Sequence, residues 1–260
     1  MTGLRLAVAL FTAVPLPGRV VEVDRRTAVR AVRWMPVLGA ALGGAAGLVL
    51  VAAGAAARQP GGRLLGAVLA VTTLAALTRG LHLDGLADTA DGLGSRAPAA
   101  RALEIMRQSD IGPFGVIALV LVLLLQIGAL YSLRPREAAG TLVLAATAGR
   151  LSVLLAAGTR IPAARPDGFG ALVAGGVGRS TRVAYVGGVL ALAAVVPGWA
   201  AGGGRVGAVR AAGALVAGLA AGEVLRRHAV RRLGGMTGDT FGALVETTTT
   251  AVLVALALRV

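Results

Sequence analysis

Apolar residues run along this chain in long stretches near 37–57, 63–81, 111–133, 138–158, 183–203, 207–225 and 241–258, and the charges collect between them. At about 1.5 Å of rise per helical residue, each stretch is long enough to cross about 30 Å of hydrocarbon. A backbone inside a bilayer must satisfy its own N–H and C=O groups, so the pattern predicts an all-α, polytopic membrane bundle of about seven transmembrane helices. Ahead of the first span, Leu4, Ala7, Val8 and Phe11 follow the i, i+3, i+4, i+7 spacing of a single helical face. This segment, Leu4 to Val14, is too short to span and runs into Pro15 and Pro17, so it is expected as a retained, interfacial helix. No internal repeat or soluble linker interrupts the pattern, and residues 1–260 read as one membrane-embedded domain.

Composition sharpens this picture. The chain is 56% hydrophobic and only 15% charged, with 39 glycines that let helices approach closely in lipid. Its net charge of +14 would suggest nucleic-acid binding in a soluble protein. Here the basic residues, all of them Arg, flank apolar spans, and few aromatics are available for base stacking. Membrane lipid with anionic headgroups and phosphate-bearing substrates are therefore the expected partners, and nucleic acid is not. The absence of Cys excludes disulfides, thiolate metal sites and cysteine nucleophiles.

Arginine placement orients the bundle, because cytoplasmic loops carry excess positive charge. With the N-terminus inside, eighteen arginines fall on the cytoplasmic side and seven on the other, and Arg150 lies within the fourth span. Trp34, Tyr185, Tyr131 and Trp199 fall at span ends, as interfacial anchors do. Eleven of the twelve acidic residues lie on or near that cytoplasmic side. Chemistry is therefore expected at the inner face of the cell membrane.

The sharpest candidate is His82-Leu-Asp-Gly-Leu-Ala-Asp-Thr-Ala-Asp-Gly92, at the cytoplasmic exit of the second span. On a helix, offsets of four and seven bring Asp84, Asp88 and Asp91 within an arc of roughly 60°. Three carboxylates so crowded call for a cation, and Mg²⁺, which commonly bridges carboxylates to phosphates, is the expected cofactor. The alternative is a solvated acidic turn with one residue capping a helix. His82 is expected as a proton acceptor or a hydrogen-bond partner of the cluster.

Three further groups bear on the same site. Arg101, Glu104 and Arg107 are spaced to share a face, either as salt bridges or as a phosphate clamp backed by Glu104, while Asp110 reads as an N-cap of the third span. The turn Gly234-Gly-Met-Thr-Gly-Asp-Thr-Phe-Gly242 offers backbone amides and the groups around Gly238 and Thr240 to phosphate, with Asp239 and Glu246 on one helical face beyond it. Asp239 as a cap and Glu246 as a packed, partnered carboxyl is the plainer alternative. Arg150 is expected to turn inward, toward phosphate or Glu246.

Taken together, His82-Leu-Asp-Gly-Leu-Ala-Asp-Thr-Ala-Asp-Gly, Glu104-Ile-Met-Arg, Ile111-Gly-Pro-Phe-Gly and Gly235-Met-Thr-Gly-Asp-Thr-Phe-Gly-Ala resemble the adenosylcobinamide-GDP ribazoletransferases, the cobalamin synthases. The likeness runs from Phe11-Thr-Ala-Val-Pro-Leu-Pro through Pro36–Gly43 to the last span. Gln108 and Asp110 depart from the family's acidic and basic pair, and Thr249 stands where a second Glu is frequent. The resemblance implies a Mg²⁺-dependent transferase that joins adenosylcobinamide-GDP to α-ribazole or its 5′-phosphate, releasing GMP and giving adenosylcobalamin or its 5′-phosphate. The expected roles are Asp84, Asp88 and Asp91 for metal and catalysis with Asp239 and Glu246, and His82, Glu104, Arg107, Arg150, Gly238 and Thr240 for substrate. A homo-oligomer is compatible with this reading. Two other readings stay open on the residues alone: a prenyl or CDP-alcohol transferase, and a cation or phosphate transporter.

Overall fold

A computed structural model describes residues 2–17, 23–56, 61–201 and 204–258, with backbone alone for 196–201. Arg19, Arg58, Arg259 and the Trp199 side chain lie outside the described residues. Among the described residues the chain forms eleven helices and two isolated parallel bridges, so it is all-α. They are α1 (Gly3–Phe11), α2 (Arg25–Ala56), α3 (Gly62–Leu77), α4 (Leu81–Gly94), α5 (Ala99–Ile105) and α6 (Pro113–Ser132), followed by α7 (Pro135–Ala156), α8 (Gly168–Val173), α9 (Arg179–Ala201), α10 (Gly204–Leu233) and α11 (Gly238–Ala257).

Five of these, α2, α6, α7, α10 and α11, are long and apolar enough to cross a membrane, and α3 with α4 makes a sixth if the bent pair counts as one span. The protein is thus a multi-pass membrane bundle. The seventh expected crossing, at 183–203, coincides with α9, part of which carries no described side chains. Helix α6 shows the lipid-facing pattern most clearly: Val116, Ile117, Val120, Leu121, Leu124 and Leu125 are exposed, while Gly115, Gln126, Ala129 and Leu130 face inward. In water such a stripe would be an aggregation site; in hydrocarbon it costs nothing.

Helix α7 is the hub. Almost every residue from Ala138 to Ala156 is buried, because α2, α9, α10 and α11 pack around it. The closest of these contacts uses a glycine ladder: a Cβ on Gly39 or Gly43 would stand 2.5 Å or 2.6 Å from backbone oxygens of α7. Any side chain there would force α2 away, which accounts for the Pro36–Gly43 stretch in physical terms. The expected interfacial helix is α1, capped by Thr2 and held on α2, where Gly3 meets Arg30.

Between α3 and α4 the chain bends by 88°. Arg79 and Gly80 make the break, both in the left-handed region with φ 55° and 69°. An arginine there is unfavourable, and its side chain donates to the Leu10 carbonyl at 3.1 Å, tying the bend to α1. The consequence is that α4 leaves the direction of α3 and runs across the bundle end, where it packs on α11 and α6. Its aspartates thus lie past the bend, outside the five helices that are long and apolar enough to cross a membrane by themselves.

Candidate active site

The site is built where α4 crosses α11. A Cβ on Gly85 would lie 2.6 Å from the Asp239 carbonyl oxygen, and one on Gly242 would lie 3.1 Å from that of His82. Only the missing side chains allow this approach, and it sets Asp84 and Asp88 beside Asp239.

The three α4 aspartates diverge in environment. Asp84 is exposed, Asp88 is half-buried and Asp91 is buried. Asp91 accepts hydrogen bonds from the Gly112 and Gly115 amides at 2.8 Å and 2.9 Å, which places its charge on the N-terminus of α6. A Cβ on either glycine would come within 2.5 Å of its carboxylate, so the glycines of Ile-Gly-Pro-Phe-Gly make room for this bond. The expected capping by Asp110 is not what forms: the N-cap is Gly112, and Asp110 instead lines a cavity. One expectation therefore needs correcting. Asp84, Asp88 and Asp91 do not make a three-ligand group, and no three His, Asp or Glu side chains among the described residues form one, because Asp91 is turned to α6.

Burial raises the Asp88 carboxyl to about 7, with further upward push from Asp84, Asp239 and Asp91 against a smaller downward pull from Arg165. A carboxylate so crowded is a receptor for positive charge.

Two cavities meet at Asp84. The larger, of about 820 Å³, carries both signs: Asp84, Asp88 and Asp110 with Arg79 and Arg107. The smaller, of about 220 Å³, holds Asp84, Asp239, Gly238 and His82 beside a largely apolar wall. His82 is 4% exposed, and neither ring nitrogen has a hydrogen-bond partner among the described residues.

A segment that sequence reading left without a role covers this junction. Residues 161–165 pair with the glycine turn through Met236 N–H to the Pro162 carbonyl, 2.9 Å, and Ala164 N–H to the Met236 carbonyl, 3.0 Å. Arg165 is thereby brought to Asp239 at 3.4 Å, while its other nitrogen donates to the Leu103 carbonyl. Asp167 in turn receives Arg107 at 3.1 Å. Nothing in the local sequence signals Arg165, since its partner lies 74 residues away.

The remaining expected residues fall elsewhere. Arg101 and Glu104 form an exposed salt bridge at 3.0 Å, and of the trio only Arg107 lines the large cavity. Thr240 is buried in a capping box with Thr237, so Thr237 rather than Asp239 is the N-cap of α11. Arg150 is turned inward, 3% exposed, and lines a small internal cavity with Glu246 that shares no lining residue with the two cavities at Asp84. Glu246 accepts from Gln126 at 2.8 Å, and Gln126 also donates to Thr250. Gln126 was invisible as a partner because it lies on a different helix, inside a run that reads only as lipid-facing.

Comparison with known proteins decides the family. The model of the family described as Cobalamin-5-phosphate synthase matches residues 3–257. The chain belongs to this family. It is 44% identical to an adenosylcobinamide-GDP ribazoletransferase of Frankia casuarinae, over 100% of this chain and 96% of that protein. Proteins of the same name from Nocardioides sp. and Stutzerimonas stutzeri are 41% and 39% identical, covering 98% and 100% of this chain and 98% and 99% of theirs. No solved structure matches. Family membership makes the chain an enzyme of cobalamin biosynthesis, and the transporter and prenyl-transfer readings give way.

Proposed function

We propose that this enzyme joins adenosylcobinamide-GDP to α-ribazole or its 5′-phosphate in a Mg²⁺-dependent reaction at the cytoplasmic face of the membrane. The products are GMP and adenosylcobalamin or its 5′-phosphate. The observation that carries the reading is the 820 Å³ cavity of mixed charge, assembled from the family's own motifs at one end of the bundle. The arginine asymmetry of the loops supports a cytoplasmic position for it.

The donor set fits a hard divalent cation. Mg²⁺ usually takes one or two protein carboxylates and leaves its other positions to water and substrate phosphate. Asp84 and Asp88 are the carboxylates that would hold it, and the burial and acidic neighbours that push Asp88 up to about 7 support a cation there. Bound Mg²⁺ would neutralise diphosphate charge as the bond to GMP breaks.

The protein's own groups account for the rest. Arg79 and Arg107 line the same cavity and bind phosphate oxygens. A ribose hydroxyl of the acceptor attacks the phosphorus bound to cobinamide; the new P–O bond forms as the bridging P–O bond breaks, and GMP departs with the bridging oxygen. The hydroxyl proton goes to a carboxylate, and Asp239, which fronts the smaller cavity, is the one we assign. Arg165 holds that carboxylate in place.

The purified protein in lipid, supplied with adenosylcobinamide-GDP, α-ribazole and Mg²⁺, should release GMP and form cobalamin. Chelation should abolish turnover. Asp84→Asn and Asp88→Asn should each lower kcat by about 100-fold or more while leaving helical content unchanged. Full activity in both variants would refute the assignment.

A further inference from the structure

The smaller cavity has a composition unlike the rest of the chain. Of four phenylalanines in the sequence, three meet here. Phe11 from α1 packs edge-on to Phe169 from α8 at 5.2 Å, and Phe169 edge-on to Phe241 from α11 at 6.2 Å. Leu10, Met35 and Val153 complete the apolar wall, and His82, Asp84 and Asp239 supply the polar end. Edge-to-face aromatic pairs present ring faces and edges to a flat guest and hold it by quadrupole contacts as well as by burial.

Resting on the function proposed above, we infer that this cavity seats the heteroaromatic base of the acceptor nucleoside and so sets which base the enzyme accepts. Size supports it. A cavity of roughly 150 Å³ with aliphatic and aromatic walls admits benzene, and the present one, of about 220 Å³, suits a bicyclic ring but is far too small for a corrin. Polarity supports it also. The benzimidazole of ribazole has an apolar perimeter and one free ring nitrogen, and the cavity matches it with a mostly apolar wall that has His82, Asp84 and Asp239 at one end. A guanine would bring several donors and acceptors to a wall that is mostly hydrocarbon, and each left unpaired is unfavourable. Position is the third argument. Asp84 belongs to both cavities, so a base seated here directs its ribose to the junction where the diphosphate would lie.

The test uses the full-length protein in lipid and separates the two substrates. Phe169→Ala enlarges the cavity and Leu10→Trp fills it from a half-buried wall position. Each should raise the KM for α-ribazole by about tenfold or more while the KM for adenosylcobinamide-GDP stays put. His82→Leu should erase the wild-type preference for ribazole over an indole riboside, which has CH in place of the ring nitrogen. If both cavity variants leave the ribazole KM unmoved, as with a lipid acyl chain in the cavity, or raise the adenosylcobinamide-GDP KM instead, as with guanine there, the inference is wrong. A working wild type with either result refutes the inference alone. A wild type that makes no joined product refutes the parent reading and this one with it.

Discussion

Asp88 and Asp91 are three residues apart on one helix, and their surroundings give them opposite tasks. Asp91 spends both oxygens on the backbone of α6, a charge fixed by amides and a helix N-terminus. Among the described residues Asp88 has neither hydrogen bond nor ion pair, and it is raised to about 7 by burial and by its acidic neighbours. The sign of the resulting pH effect follows. Between the ordinary carboxyl value of 3.8 and about 7, the folded protein binds a proton at Asp88 that the unfolded chain does not. Without a divalent ion, stability falls as pH rises through that window and this contribution levels off above it. A bound cation reverses the preference, so Mg²⁺ should raise the thermal midpoint more at pH 8 than at pH 6, and its affinity should rise as pH passes 7. Thermal scans with and without Mg²⁺ at the two values check this; an equal Mg²⁺ effect at both would contradict it. Asp91→Ala should instead lower stability by about 2 kcal/mol, leaving one buried and one part-buried amide without an acceptor, with Mg²⁺ affinity little changed. Titration of the variant with Mn²⁺ beside thermal unfolding separates the two effects.

At the scale of elements, the decisive contact is the crossing of α4 over α11 through Gly85 and Gly242. The aspartate spacing was legible in sequence because a helix period alone puts offsets of four and seven on one face. The α4 helix formed over Leu81–Gly94, as that spacing required. Its direction was not legible. The bend depends on left-handed Arg79 and Gly80 and on a tie from Arg79 to α1, and that tie joins residues 69 positions apart. Gly85→Ala places a Cβ 2.6 Å from a backbone oxygen, so α4 must shift relative to α11. A displacement of about 1 Å at a positioned group lowers turnover by roughly 100-fold. We expect that loss in kcat with helical content preserved in circular dichroism; activity at the wild-type level would show that the crossing does not position the site.

For the whole molecule, the chain is a bundle with a buried hub, α7, and a charged end. The ends of α2, α4, α6 and α11 gather at that end with the segment 161–178, held by Arg25 bonds to the Ala171 and Ala174 carbonyls and by the Pro162–Met236 pairing. If the arginine asymmetry orients the bundle, this end faces the cytoplasm. The chain has no cysteine, so single cysteines report topology without background. Ser109→Cys, at the large cavity, should resist a membrane-impermeant maleimide in intact cells and react in inverted vesicles, and Arg134→Cys should do the reverse. The opposite pattern would put the site outside.

The sequence by itself determined the solvent and the vocabulary. Apolar runs of bilayer length require self-satisfied backbones, hence helices, and carboxylates beside such runs must serve something because their desolvation is costly. Those are local properties, fixed by composition and period. Tertiary structure decided which of the acids remain free: Asp91 is consumed by amides 21 and 24 residues on, Asp239 acquires Arg165, and Glu246 is drawn with Gln126 and Arg150 into a separate internal cavity. It also gathered three distant phenylalanines around one cavity. Such partnerships depend on where helices cross, and crossing is set by small residues and bends whose partners no local pattern names.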